Sequence, residues 1–191
     1  MVSDDELLLL YAAEGPVESL KEVMGKCSSF MLQNALDTAA EYGNVECVKA
    51  LVSVCSAHGS HALWEACYEG HANVIEVLLQ HGFCAEGAMG DCMEYQKFGC
   101  FQVLAAYSDP DDFCDALERS FLIANDEKAN IGRQMLMTYC DSDMMLCKLG
   151  ATNHKYAKAY EWVDMFVAGE QHQRLTEQLE SSGMHRVRAK I

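Results

Sequence analysis

The amino-acid sequence predicts an all-α fold, a solenoid of stacked antiparallel helix pairs, and three observations carry that prediction. A helical phrase returns every 27 residues, so that Leu9, Leu36 and Leu63 stand in step, as do Ala12, Ala39 and Ala66. Val48, Leu51 and Val52 return by the same step as Ile75, Leu78 and Leu79. Each phrase divides at a turn, Gly43-Asn44 or Gly70-His71, into two segments whose apolar residues have helical spacing. A period in the range of roughly 20–50 residues marks units that each leave one apolar face unburied until a neighbour covers it.

The units follow in order. The first, residues 7–26, has one residue fewer between its helices, since Leu20, Val23 and Met24 precede their counterparts by 28, and Pro16 in its turn suits a helix start. In the second, residues 34–55, Ala35, Leu36, Ala39 and Ala40 mark a first helix and Val45, Val48, Leu51, Val52 and Cys55 a second. The third, residues 61–82, repeats this with Leu63, Ala66 and Cys67, then Ala72, Ile75, Leu78 and Leu79, closing at Gly82. A degenerate fourth copy, residues 88–106, follows at a spacing of 26 with Met89, Cys92 and Met93, then Phe98, Phe101, Leu104 and Ala105.

Residues 111–182 are expected to add divergent helical repeats that cap the stack. Asp109-Pro110-Asp111-Asp112 supplies N-cap chemistry ahead of Phe113, Ala116, Leu117, Phe121 and Leu122. Ile131, Met135, Leu136 and Tyr139 suggest a partner helix, and a further pair runs through residues 144–149 and 156–167. Residues 171–182 read as a terminal helix that Gly183 ends, and residues 183–191, with Arg186, Arg188 and Lys190, as a short basic tail.

Composition narrows the function classes. With 50% hydrophobic residues in 191, the chain is able to bury a core, and no apolar run approaches the roughly 18 residues of a membrane helix. No basic-then-apolar leader opens it, and ten cysteines are too dilute for a disulfide scaffold, so a reducing location, cytoplasmic or nuclear, is expected. The net charge of -15 is unevenly placed: residues 1–118 hold 20 acidic and 4 basic side chains, residues 119–191 hold 9 and 10. That field repels nucleic acid and anionic membrane and speeds encounter with a basic protein.

The stretch from Gly59-Ser60-His61-Ala62-Leu63-Trp64-Glu65-Ala66 through Gly70-His71 to Leu78-Leu79-Gln80-His81-Gly82 resembles an ankyrin repeat, with its T-P-L-H-x-A phrase, its Gly-His turn and its closing Leu-Leu-x-x-Gly. Asn34-Ala35-Leu36-Asp37-Thr38-Ala39-Ala40 through Gly43-Asn44 is a second match. A period of 27, short of the family's ~33, predicts short turns with reduced or absent β-hairpin fingers. Asp37 and Trp64 replace the motif histidine, which removes the hydrogen bonds that residue makes between family repeats. The resemblance implies a non-enzymatic protein–protein interaction module, an adaptor or inhibitor. Free-standing divergent ankyrin proteins are also known as viral or pathogen factors directed at the host.

In the ankyrin register the first helix of each pair lines a concave face. Glu14, Glu41, Tyr42, Tyr68, Glu69, Glu94 and Tyr95 then point outward, flanked by Tyr11, Asp37, Trp64, Glu65 and Asp91. Rings give contact area at low entropic cost and carboxylates suit Lys or Arg, so these residues are the expected surface for a basic partner. One alternative is an acidic mimic of nucleic acid that blocks a DNA- or RNA-binding protein. Another is a thiol- or metal-dependent enzyme: Cys55, His58 and His61 have the spacing C-x-x-H-x-x-H, although no C-x-x-C accompanies them. No phosphate loop, H-E-x-x-H or G-x-S-x-G is present, and no cofactor is expected.

Overall fold

A computed structural model describes residues 2–57, 61–151 and 156–181, and the chain forms two compact units, 1–140 and 141–191. Among the described residues every regular element is helical, and no strand occurs between the helix pairs. None of these helices is long and apolar enough to cross a membrane.

The first unit contains five pairs: α1 (Asp4–Glu14) with α2 (Val17–Met24), α3 (Ser29–Glu41) with α4 (Val45–Val52), α5 (Ala62–Glu69) with α6 (Ala72–Gln80), α7 (Ala88–Glu94) with α8 (Phe101–Leu104), and α9 (Pro110–Ser120) with α10 (Asp126–Met137). The 3-10 turn Phe98–Cys100 leads into α8. Helices α1, α3, α5, α7 and α9 pack successively in one row, and α2, α4, α6 and α8 in a second. The stack thus continues past residue 110 through α9, which packs closely against α7.

Local chemistry sets the helix starts. Ser3 and Glu6 form a capping box, with Glu6 N–H donating to Ser3 Oγ at 3.2 Å and Ser3 N–H to Glu6 Oε2 at 2.8 Å. Pro16 sits at the N-cap of α2, one residue ahead of its first turn. Asp109 accepts N–H bonds from Asp111 and Asp112 at 2.8 and 3.0 Å, with Pro110 at the first helical position, so the expected cap is realised. Most phrase positions form the core: Ala12, Ala39, Ala66, Leu36, Leu51, Ile75, Leu78, Met89, Met93 and Leu104 are all 0% exposed, whereas Leu9 and Leu63 are half-buried. Removing each large apolar side chain from water contributes about 1.5–3 kcal/mol.

A ladder of three side-chain bonds ties the turns of the second, third and fourth units each to the one before it. Asn44 Nδ2 donates to the Gly15 carbonyl at 3.3 Å, His71 Nε2 to the Glu41 carbonyl at 2.9 Å, and Lys97 Nζ to the Glu69 carbonyl at 3.0 Å. These carbonyls lie at the ends of α1, α3 and α5, where no intrahelical donor reaches them. The preceding residue takes a left-handed conformation: Gly43 at φ 71°, Gly70 at 86°, and Gln96 at 60°. At Gly43 a Cβ would also stand 2.8 Å from the His71 ring, so glycine serves both the turn and the close approach of the next unit. Asp37, in place of the motif histidine, accepts from His61 N–H at 3.0 Å. A different group therefore restores a bond between repeats.

Three details differ from the sequence expectations. Leu122, Ile131 and Tyr139 are 80%, 47% and 38% exposed. The buried face of α10 is instead Ala129, Gly132, Arg133 and Leu136, because Gly132 lets Phe98 and Met93 press against the backbone. In the second unit, α11 (Ser142–Ala151) packs on α12, which runs unbroken over Ala157–Ser181 where two helices were expected. One glycine, Gly169, costs a helix only ~1 kcal/mol, too little to end it between Ala168 and Glu170. Ala159 and Val163 are buried as expected, and Trp162 stacks on Phe166 at 5.2 Å. Gly183 and the basic residues Arg186, Arg188 and Lys190 lie outside the described residues.

Candidate protein-binding surface

The row of first helices carries the expected site residues. Glu14, Glu41, Tyr42, Trp64, Tyr68, Glu69 and Glu94 are exposed, and Tyr11, Asp37, Glu65, Asp91 and Tyr95 are half-buried. Three of the rings meet. Trp64 and Tyr68, one turn apart on α5, stack at 5.3 Å between centroids, and Tyr95 at the end of α7 meets Tyr68 edge-on at 4.7 Å and Trp64 at 6.1 Å. Such offset and edge-on pairs suit the ring quadrupoles, so the cluster is self-supporting while Trp64 and Tyr68 remain about 41% and 42% exposed. No ring contact joins Tyr11 or Tyr42 to it among the described residues; Tyr11 lies against Gly15 instead.

The carboxylates divide into two groups. Asp91 Oδ1 accepts from Arg119 Nη1 at 2.8 Å, Asp115 Oδ2 from Arg119 Nε at 2.8 Å, and Glu94 lies 3.6 Å from the same guanidinium. One cation among three carboxylates leaves that cluster net negative. Burial, opposed by Arg119, raises the pKa of Asp91; burial works against the charge of Arg119, but Asp115 and Asp91 outweigh it and hold its pKa up. The carboxylates of Glu41, Glu65 and Glu69 form no ion pair with Lys or Arg among the described residues; Lys97 Nζ bonds the Glu69 main-chain carbonyl at 3.0 Å. Burial raises the pKa of Glu65, and repulsion from Glu41, Asp37 and Glu69 adds to it, with His61 opposing.

Sequence reasoning missed two features here. Arg119 is one: its i,i+4 spacing from Asp115 was a visible signal, but its reach back to α7 is a tertiary contact. The second is a pocket of about 180 Å3 between α5 and α7, lined by Leu63, Trp64, Cys67, Cys84, Glu86, Ala88 and Asp91. It forms where the 81–87 connection passes the end of α5, a juxtaposition that no single repeat encodes.

Two of the three metal candidates, Cys55 and His61, fall within the described residues. Cys55 Sγ donates to the Leu32 carbonyl at 3.3 Å, and burial with Asp37 nearby pushes its thiol up to about 11. His61 is an exposed N-cap residue, and His58 lies outside the described residues. Among the described residues no three His, Cys, Asp or Glu side chains are placed to hold a metal ion. Cys67, Cys92 and Cys100 cluster in the core; contact with the Cys100 and Cys67 thiols, together with burial, drives Cys92 far up. The Cys92 thiol pulls Cys100 down against burial, yet Cys100 is only 1% exposed.

The family model for ankyrin repeats, in 3 copies, matches residues 8–87, the span that holds α1 to α6 and the first three turns of the ladder. Residues 8–87 are thus similar to three ankyrin repeats. No curated protein and no solved structure matches the chain. Ankyrin repeats are protein–protein interaction modules and generally carry no catalysis of their own. The fourth and fifth helix pairs, α7–α8 and α9–α10, continue the helical stack beyond the matched residues.

Proposed function

We propose that this ankyrin stack is a non-enzymatic adaptor or inhibitor that holds a basic peptide or basic protein face along its row of first helices. The observation that carries this reading is the cluster of exposed Trp64 and Tyr68 with half-buried Tyr95, beside three carboxylates, Glu41, Glu65 and Glu69, that ion-pair with no Lys or Arg among the described residues. Large rings clustered at the surface supply anchor area, and uncompensated charge of one sign selects the partner and speeds its approach. Tyr11, Glu14, Asp37 and Tyr42 extend the surface toward the N-terminal repeats. Asp91 and Glu94 contribute less, since Arg119 already neutralises them in part.

A displayed random-peptide library selected on the whole chain tests the reading. The enriched peptides should carry an excess of Lys and Arg, and Trp64→Ala with Tyr68→Ala should weaken them about thirtyfold or more, equivalent to ~2 kcal/mol, with the helical signal intact. A nucleic-acid mimic would give the opposite pattern: free DNA would compete, and the aromatic changes would do little. Enrichment without basic residues would contradict the proposal.

A further inference from the structure

The pocket between α5 and α7 has a composition that the binding surface as a whole does not. Leu63 and Ala88 make part of its wall apolar, Trp64 adds an indole, and Glu86 and Asp91 bring two carboxylates into the same space of about 180 Å3. Glu86 is exposed and has no cation partner among the described residues. Asp91 gives only its Oδ1 to Arg119; its Oδ2 has no partner among the described residues. An apolar wall for a carbon stem, an aromatic side chain and carboxylate oxygens beyond them are the complement of one long cationic side chain.

We infer that this pocket is a receptor for a single arginine side chain of the partner. The inference rests on the protein-binding reading above. Arginine fits better than lysine on chemistry: the guanidinium is flat and weakly hydrated, stacks on an indole, and presents a fork of donors to a carboxylate. The chain answers its own guanidiniums in both ways. Arg133 lies 4.2 Å over the Phe121 ring, and Arg119 forks between Asp91 and Asp115. The pocket adjoins the anchor cluster through Trp64, which stacks on Tyr68, so an arginine seated there lies beside the proposed anchors. The raised pKa of Asp91, whose largest cause is burial, is consistent with a carboxylate that one guanidinium leaves incompletely compensated.

The probe is Nα-acetyl-arginine amide, with the lysine and citrulline amides as controls, read by fluorescence on the full chain carrying Trp162→Phe so that Trp64 is the one indole. The arginine amide should change Trp64 emission saturably, at least about tenfold more tightly than the lysine amide, and the neutral citrulline amide should bind at least as weakly as lysine. Glu86→Lys, at an exposed position, should abolish the response without changing the helical signal, and Glu86→Gln should weaken it several-fold. Equal response to arginine and lysine, or binding untouched by Glu86→Lys, would overturn the receptor. If library-selected basic peptides still bind through Trp64 and Tyr68 while the arginine amide does not, the pocket inference fails and the protein-binding reading stands. If no basic peptide binds at all, the reading beneath it fails as well.

Discussion

Two acidic stretches lie on the same row of helices and differ in what answers their charge. At the α7–α9 junction Asp91, Glu94 and Asp115 gather around Arg119, with two of the contacts at 2.8 Å. At the α3–α5 junction Glu41, Glu65 and Glu69 stand beside exposed rings, and their carboxylates form no ion pair with Lys or Arg among the described residues. A net charge of -15 counts both stretches alike. Their difference teaches that the role of a carboxylate here depends on whether the chain supplies its counter-ion: where it does, the charge fastens one repeat to the next and only an oxygen left over, such as Asp91 Oδ2, faces outward; where it does not, the whole charge is open to solvent.

The largest effect that would break this comparison is expected at Arg119. Arg119→Ala leaves Asp91, half-buried, beside two other carboxylates with no guanidinium, and should destabilise the chain by about 1.5–3 kcal/mol in urea unfolding. A loss below about 0.5 kcal/mol would show that the junction does not depend on the pair. Next comes the turn that follows α7. Gln96 occupies at φ 60° the place that Gly70 and Gly43 take one and two units earlier, so Gln96→Gly should stabilise by about 0.5–1 kcal/mol. Destabilisation would mean that the Gln96 side chain makes a compensating contact.

The smallest effect sharpens the other side. Glu65 is raised in the folded chain, so the fold is favoured by its protonation: relative stability rises as pH falls through the folded value and is diminished above it. Glu65→Gln should therefore stabilise by up to about 0.5 kcal/mol at neutral pH, with the gain vanishing in the weakly acidic range once Glu65 is protonated. A variant less stable than the parent at neutral pH would contradict the crowding of like charges at α3–α5.

The repeat architecture was legible because its signals are local and recurrent. Ala12, Ala39 and Ala66 are buried one above another, and the Asp109 cap forms with the bonds its spacing implies. The face of α10 was not legible, because its buried positions include Gly132 and Arg133, a missing side chain and a charged one, and apolar periodicity registers neither. Arg133 is held there by Ser120 Oγ at 2.8 Å and by the Phe121 ring, contacts that need the fold already in place. At the candidate site the exposed row followed from the repeat register, whereas the meeting of Trp64, Tyr68 and Tyr95 needed two helices from different repeats. The sequestration of Asp91 and Glu94 needed a third, through Arg119 on α9. Side-chain chemistry marked the candidates; the stack decided which remain available.

The most direct measurement compares two triple variants for binding to a library-selected basic peptide by titration calorimetry at two salt concentrations. Glu41→Gln, Glu65→Gln and Glu69→Gln together should weaken binding about tenfold or more and flatten its salt dependence, while leaving the fold intact. Asp91→Asn, Glu94→Gln and Asp115→Asn together should cost stability and change peptide affinity less than threefold, provided the peptide lacks an arginine for the Trp64 pocket. Equal losses from the two triples would contradict the account, because they would mean that the partner senses the summed charge of the surface and not the carboxylates the chain leaves unanswered.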